Sequence, residues 1–331
     1  MNGQVSRELL AQPAKRAARV IGQSRVGVVR AAYDRFDVAD DDALHDLRVG
    51  LRRLRSWLRA FRPEMDDTVR GKTRRRLRDV THDTNAARDV EVWREWIAEQ
   101  TGLSARARVG LRYANKWLRV DGDAQLRKTT KRIRVRLPRL LDALEDELSS
   151  YSASVPVDER DPSEATMAEA MADLIRRHHE RFATRIDRVQ SASDVGAIHR
   201  CRIAAKRLRY VLEALDEFGQ AKDVTAQLVS LQDSLGTVRD LHLFVARVVE
   251  RIGVLGMIEA RRRAAKALSV DADDTPSPAL ARVRPGLIAL AKRARQHADV
   301  AFDEFRATWD QARVTALATS LDELIGALGQ P

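Results

Sequence analysis

Cysteine is almost missing from this chain, with a single thiol, Cys201, among 331 residues. One thiol excludes an internal disulfide framework and any zinc site built on cysteine pairs. Aromatics supply 5% of the residues and glycine only 16 positions. So few strand-favouring and turn-making residues, against abundant Ala, Leu and Arg, argue for an all-α chain. No run approaches the ~18 apolar residues that span a bilayer. Met1 to Arg19 lacks the apolar core of a secretory signal. A cytoplasmic protein with no membrane partner is expected. A Gly-rich phosphate loop with its lysine is also missing, as is an HExxH pair. His178 and His179 are adjacent, so on a helix they point ~100° apart and do not chelate one ion. No metal, cofactor or catalytic residue is assigned.

What the chain does have is positive charge. Lys and Arg number 59 against 48 Asp and Glu, a formal net charge of +11. That balance argues for a negatively charged partner. The charge concentrates in a pattern that occurs twice. His45-Asp-Leu-Arg48-Val-Gly-Leu-Arg52-Arg53-Leu-Arg55-Ser-Trp-Leu58 is answered by His199-Arg-Cys-Arg202-Ile-Ala-Ala-Lys206-Arg207-Leu-Arg209-Tyr-Val-Leu212. At an offset of 154, six of the fourteen positions are identical. Self-similarity half a chain apart points to a duplicated unit.

Helical spacing sorts each copy into stripes. Leu44, Leu47, Leu51, Leu54, Leu58 and Phe61 line one face, and His45, Arg48, Arg52, Arg55, Arg59 and Arg62 run beside it. In the second copy Ile198, Cys201, Ala205, Leu208, Leu212 and Leu215 form the apolar stripe. His199, Arg202, Lys206 and Arg209 border it, until Glu213 and Asp216 end the row. Cations placed beside an apolar stripe sit at helix seams rather than in bulk water. Like charges at these spacings cost ~0.2–0.5 kcal/mol per pair, so the row carries self-repulsion that a counter-anion would relieve. From His45 to Arg59 it extends ~21 Å at ~1.5 Å per residue, which suits a linear ligand with repeating charge. Arginine donates bidentate bonds to phosphate and keeps its charge at cellular pH.

Periodic segments are interrupted near Pro63, Gly102, Asp121-Gly122-Asp123 and the Ser149 to Ser163 stretch. The last carries Pro156 and Pro162 and reads as a linker at 151–163 between halves 1–150 and 164–331. A single helix is expected from Val5 to about Tyr33, and a loop from Asp271 to Pro278. Each half reads as roughly four long helices in an antiparallel bundle. A weaker echo pairs Asn85-Ala-Ala-Arg88-Asp89-Val90 with Gly236-Thr-Val-Arg239-Asp240-Leu241, each read as a break that follows its basic helix and one more helix. Its Arg-Asp pair most simply pins a turn or caps a helix start.

The doubled motif, His-x-x-Arg-[Val/Ile]-x-x-[Arg/Lys]-Arg-Leu-Arg, resembles the signature of the CHAD family, the conserved histidine α-helical domain. The resemblance implies two four-helix bundles related by a pseudo-twofold axis, with a basic groove or pore between them. It also implies binding of inorganic polyphosphate there, without chemistry. His45, Arg48, Arg52, Arg53 and Arg55 would contribute from one side. His199, Arg202, Lys206, Arg207 and Arg209 would contribute from the other. Arg78, on the cationic helix after the first copy, is placed in the same site. Many relatives fuse this domain to a triphosphate-hydrolysing tunnel domain; the chain is expected to stand alone, because it lacks the strand pattern for one. Association with polyphosphate granules fits such a ligand. The rival readings are nucleic-acid binding and a protein-interaction scaffold. Base readout or stacking would favour aromatics among the cations, and Trp57 falls on the far side of the apolar stripe, where it is expected to pack into the core.

Overall fold

The computed structural model describes residues 5–36, 41–149, 164–215, 218–268 and 278–329. Among these residues the chain is all-α, as expected. The single exception to helix pairing is one isolated bridge between Pro13 and Thr166. In chain order the helices are α1 (Arg7–Leu10), α2 (Ala14–Asp34), α3 (Asp41–Ala60), α4 (Gly71–Asp83), α5 (Asn85–Ala98) and α6 (Ala105–Ser149). They continue as α7 (Met167–Ile186), α8 (Val195–Leu212), α9 (Gly219–Ala267), α10 (Pro278–Thr308) and α11 (Gln311–Leu328). The expected linker at 151–163 lies outside the described residues, as does the expected loop up to the start of α10.

Side-chain caps fix several of the helix starts. Thr166 and Glu169 form a reciprocal capping box at α7: the Thr166 hydroxyl accepts from the Glu169 N–H, and the Glu169 carboxylate accepts from the Thr166 N–H at 2.8 Å. The Asp194 carboxylate caps α8 by accepting from the Ala197 N–H at 2.8 Å. The single helix expected from Val5 to Tyr33 is instead split in two at Pro13. Proline has no N–H to continue the ladder. Ala14 N–H donates to the Ala165 carbonyl at 3.0 Å, and Met167 N–H to the Gln12 carbonyl at 2.8 Å. The starts of α2 and α7 are thereby tied side by side.

Two expected breaks do not occur. α6 runs unbroken through Asp121-Gly122-Asp123, and α9 runs unbroken through Gly236. In both, glycine serves close packing instead of a turn. A Cβ on Gly122 would lie 3.0 Å from the Val90 side chain, and one on Gly236 would lie 3.0 Å from the Arg202 guanidinium. Gly102, by contrast, is left-handed with φ 64° and does separate α5 from α6.

The two apolar stripes are buried in full: Leu44, Leu47, Leu51, Leu54 and Leu58 on α3 with Phe61 just beyond it, and Ile198, Cys201, Ala205, Leu208 and Leu212 on α8 with Leu215 beyond it. They join one hydrophobic cluster that takes residues from both halves. Elements meet across the halves in pairs, α2 with α7, α3 with α8, α5 with α9 and α6 with α10. The α6–α10 crossing brings backbone against backbone, since a Cβ on Gly110 would fall 2.1 Å from the Gly286 carbonyl oxygen. What matters for function is the α3–α8 contact. It sets the two basic stripes against each other.

Candidate functional site

Because each basic row borders its apolar stripe, burying the stripes at the α3–α8 seam draws the cations together. Lys206 on α8 lies in the field of Arg52 on α3 and of Arg202, Arg209 and Arg239. Burial, reinforced by those four guanidiniums, holds its ammonium down to about 7 from an ordinary 10.5. Arg55 on α3 faces Arg207 on α8 and Arg78 on α4, and desolvation with these neighbours lowers its pKa. Arg59, one turn on, meets Arg207 and Arg55 and is lowered to about 10, desolvation again leading. The Nε–H groups of Arg52 and Arg207 are buried without a hydrogen-bond acceptor among the described residues. The cations of both copies therefore form one cluster.

Carboxylates bracket part of it. The side chain of Glu213 is only 10% exposed and takes Arg53 of α3 at 2.9 Å and Arg209 of α8 at 3.3 Å. One anion thus clamps the two basic helices. Arg48 pairs with Glu91 on α5 at 3.3 Å; burial lowers its pKa, partly offset by that carboxylate. Arg202 sits against Gly236, its Nε–H donating to the Gln232 carbonyl at 3.4 Å. Burial lowers Arg202 too, opposed first by Asp240. The His199 imidazole is lowered by desolvation, then by Arg239, Arg202 and Lys206. Arg53 and Arg209 therefore face Glu213, while Arg48, Arg52, Arg55, Arg78, Arg202, Lys206, Arg207 and His199 line the cluster. His45 is exposed at the start of α3 and enters none of these contacts among the described residues.

The Arg-Asp echo has a different role from the one expected. Asp240 lies inside α9, not at a turn, and Asp89 lies in the second turn of α5. Arg239 holds Asp240 at 2.7 Å and reaches Asp89 at 3.9 Å. Burial raises the Asp89 pKa against the pull of Arg239, and Asp240 raises it further. Asp89 and the Arg239-Asp240 pair thus meet at the edge of the cluster; α9 can run straight through because Gly236 makes room for Arg202. At the end of α4, the Asp83 carboxylate accepts from Arg132 and Arg136 and pins α4 to α6.

Sequence reasoning missed the contribution of α7. His178 is buried against Arg181, Arg207, Arg59 and Arg177, and desolvation with those charges lowers it to about 4. Its signal was present as Arg177, His178 and Arg181 at helical spacing, but nothing in the doubled motif points to α7. Tyr210 was missed as well. Its ring, 9% exposed, lies 4.9 Å from the Arg209 guanidinium, and its buried hydroxyl has no partner among the described residues. Trp57 packs as expected: it is buried, and its Nε1–H donates to the Ala18 carbonyl at 2.9 Å. Cys201 is buried in the core, which pushes its thiol up to about 12. Among the described residues there is no His, Cys, Asp and Glu grouping that could hold a metal ion. Nor is any described helix long and apolar enough to cross a membrane.

The CHAD domain model matches residues 23–249, which include both basic helices and the Arg239-Asp240 pair. The chain belongs to the CHAD family. Two solved structures share the fold. The CHAD domain of the plant Ricinus communis superposes with a TM-score of 0.60 at 19% identity, covering 97% of this chain and 93% of that one. PptA from Streptomyces chartreusis superposes with a TM-score of 0.58 at 16% identity, covering 89% of this chain and 99% of that one. No curated protein matches this CHAD chain.

Proposed function

We propose that this CHAD protein binds inorganic polyphosphate in a basic groove between its two helical halves and performs no chemistry on it. The observation that carries this reading is the shared cluster: Lys206 beside Arg52, and Arg207 beside Arg55 and Arg59. Cations from two helices that depress one another are destabilising until an anion enters, and a polyanion relieves many at once. Each charge-assisted hydrogen bond contributes ~1.5–3 kcal/mol before ordering costs. Several together suffice for submicromolar affinity. In this reading the protein works in the cytoplasm, at polyphosphate granules.

Nucleic acid is the rival with the same backbone chemistry. The aromatics nearest the cations argue against base stacking, because Trp57 and Tyr210 are both buried. The test is direct competition between long-chain polyphosphate and duplex DNA at equal phosphate concentration. Polyphosphate is expected to displace DNA, and an Arg52→Glu, Arg207→Glu double variant is expected to keep its helical content and lose polyphosphate. Preferential retention of DNA would overturn the proposal.

A further inference from the structure

The basic cluster is not uniform, and its two ends differ in what already neutralises them. At the end nearer α5 and α9, Arg48 has Glu91, and Arg239 has Asp240 with Asp89 close by. Near the seam, Glu213 takes Arg53 and Arg209. At the end nearer α7, Arg55, Arg59, Arg181 and Arg207 have no carboxylate partner among the described residues. Arg207 lies in the field of Arg181, Arg59 lies in those of Arg207 and Arg55, and Arg59, Arg181 and Arg207 all act on His178. They come from three different helices, α3, α7 and α8. Two independent features point to a missing ligand here. The Nε–H of Arg207 is buried without an acceptor, and the Tyr210 hydroxyl, on a side chain nine-tenths buried, is unpartnered while facing Arg55 and Arg59.

We propose that the cluster of Arg55, Arg59, Arg181 and Arg207 beside His178 is a distinct anchor subsite for one compact, multiply charged phosphate group. The inference rests on the polyphosphate reading above and assigns α7 a place in the site. Electrostatics orders the two ends. An anion arriving near α5 and α9 must compete with Glu91, Asp89 and Asp240 for their arginines, and it feels those carboxylates as repulsion. One arriving at the α7 end displaces no internal anion and relieves repulsion among four cations. A short oligophosphate therefore seats at the α7 end. A long chain seats there first and extends along α3, where Arg48 and Arg59 stand eleven residues and ~17 Å apart.

The probe is tripolyphosphate, compared with long-chain polyphosphate by calorimetry. An Arg59→Gln, Arg181→Gln double variant alters two solvent-edged side chains and is expected to keep its helical content. It should weaken tripolyphosphate at least tenfold, a larger loss than an Arg48→Gln, Arg202→Gln double variant causes. A control that removes two exposed charges outside the cluster, Lys292→Gln with Arg295→Gln, should leave both ligands within twofold. Tripolyphosphate should also shift the His178 ring resonances, a readout that a general loss of positive charge does not produce. If the Arg59/Arg181 variant binds tripolyphosphate like the parent, or if the Arg48/Arg202 variant loses at least as much, the anchor is not at the α7 end. If the unaltered protein binds neither ligand, the underlying polyphosphate reading fails instead.

Discussion

Lys206 offers the sharpest test of the basic cluster, because its proton is coupled both to folding and to the anion. Burial and the fields of Arg202, Arg52, Arg209 and Arg239 hold it at about 7, against 10.5 for an ordinary lysine. At ~1.36 kcal/mol per pKa unit, the charged form costs the free fold up to about 5 kcal/mol. The sign follows from the lowered pKa: the unfolded chain binds more protons, so stability without ligand falls as pH drops from 10.5 to 7 and levels off below. A phosphate beside the ammonium reverses the imbalance. At pH 7.5 the free protein has Lys206 about one-quarter charged, and the complex has it almost fully charged, so binding takes up about 0.7 proton. Affinity should then weaken about eightfold between pH 7.5 and 8.5. Calorimetry in two buffers of different ionisation enthalpy reads the proton number directly. Lys206→Arg, which keeps a cation but does not titrate, should flatten both the uptake and the pH slope near pH 8. Absence of proton uptake in the parent protein, or its persistence in Lys206→Arg, would refute the assignment.

Salt should weaken binding in proportion to the cations engaged, with a logarithmic slope of ~0.7–0.9 per neutralised phosphate, as for nucleic acids; a flat titration would remove the electrostatic basis. Glu213→Gln removes the anion between Arg53 and Arg209. Because Arg53 is half exposed, the expected loss is about 1–3 kcal/mol, read as a lower denaturation midpoint, and polyphosphate should raise the midpoint more in this variant than in the parent; equal shifts in the two proteins would show that Glu213 does not hold the cations together. Gly110→Ala would gain about 1 kcal/mol of helix propensity in isolation. Here its methyl meets the Gly286 backbone, so a net loss of ~1–3 kcal/mol is expected; an unchanged or raised midpoint in urea contradicts the close crossing. His178 is held at about 4, so a ring that titrates near 6.5 in the free protein would contradict its burial among Arg181, Arg207 and Arg59.

The all-α class and both apolar stripes were legible because helical periodicity is a local property. Every stripe residue from Leu44 to Phe61 is buried, and so are their equivalents on α8. The convergence of the two basic rows was also readable, since cations bordering a buried stripe must lie at the seam that buries it. What was not legible depends on the partner across a contact. Gly122 and Gly236 read as helix stops because glycine costs a helix ~1 kcal/mol. Val90 and Arg202, which occupy the space a Cβ would need, are dozens of residues away in the chain. Asp240 read as a turn residue for the same reason. His178 and Arg181 joined the cluster through α7, an element outside the repeated motif, and only the packing of α7 against α8 reveals it.

The carboxylates within the cluster separate two duties that arginine would otherwise combine. Arg53 and Arg209 have their charge met by Glu213, whose side chain is only 10% exposed, so they join α3 to α8 whether or not a ligand is present. Arg52, Arg55 and Arg207 stand at the same seam, among other cations and without a carboxylate partner among the described residues, so their charge is met only from outside. If all had internal partners the seam would be stable but would hold no anion; if none had, the seam would carry more self-repulsion until an anion arrived. The interleaving explains why the second row ends in glutamate. Glu213 follows Arg209 by one helical turn, where it can neutralise one cation on its own helix and one on the facing helix. Exchanging the roles tests this division: Arg53→Gln should lower stability more than affinity, and Arg52→Gln should lower affinity while raising stability in the free protein. Parallel losses of both properties in both variants would show that the cluster acts as one undivided patch.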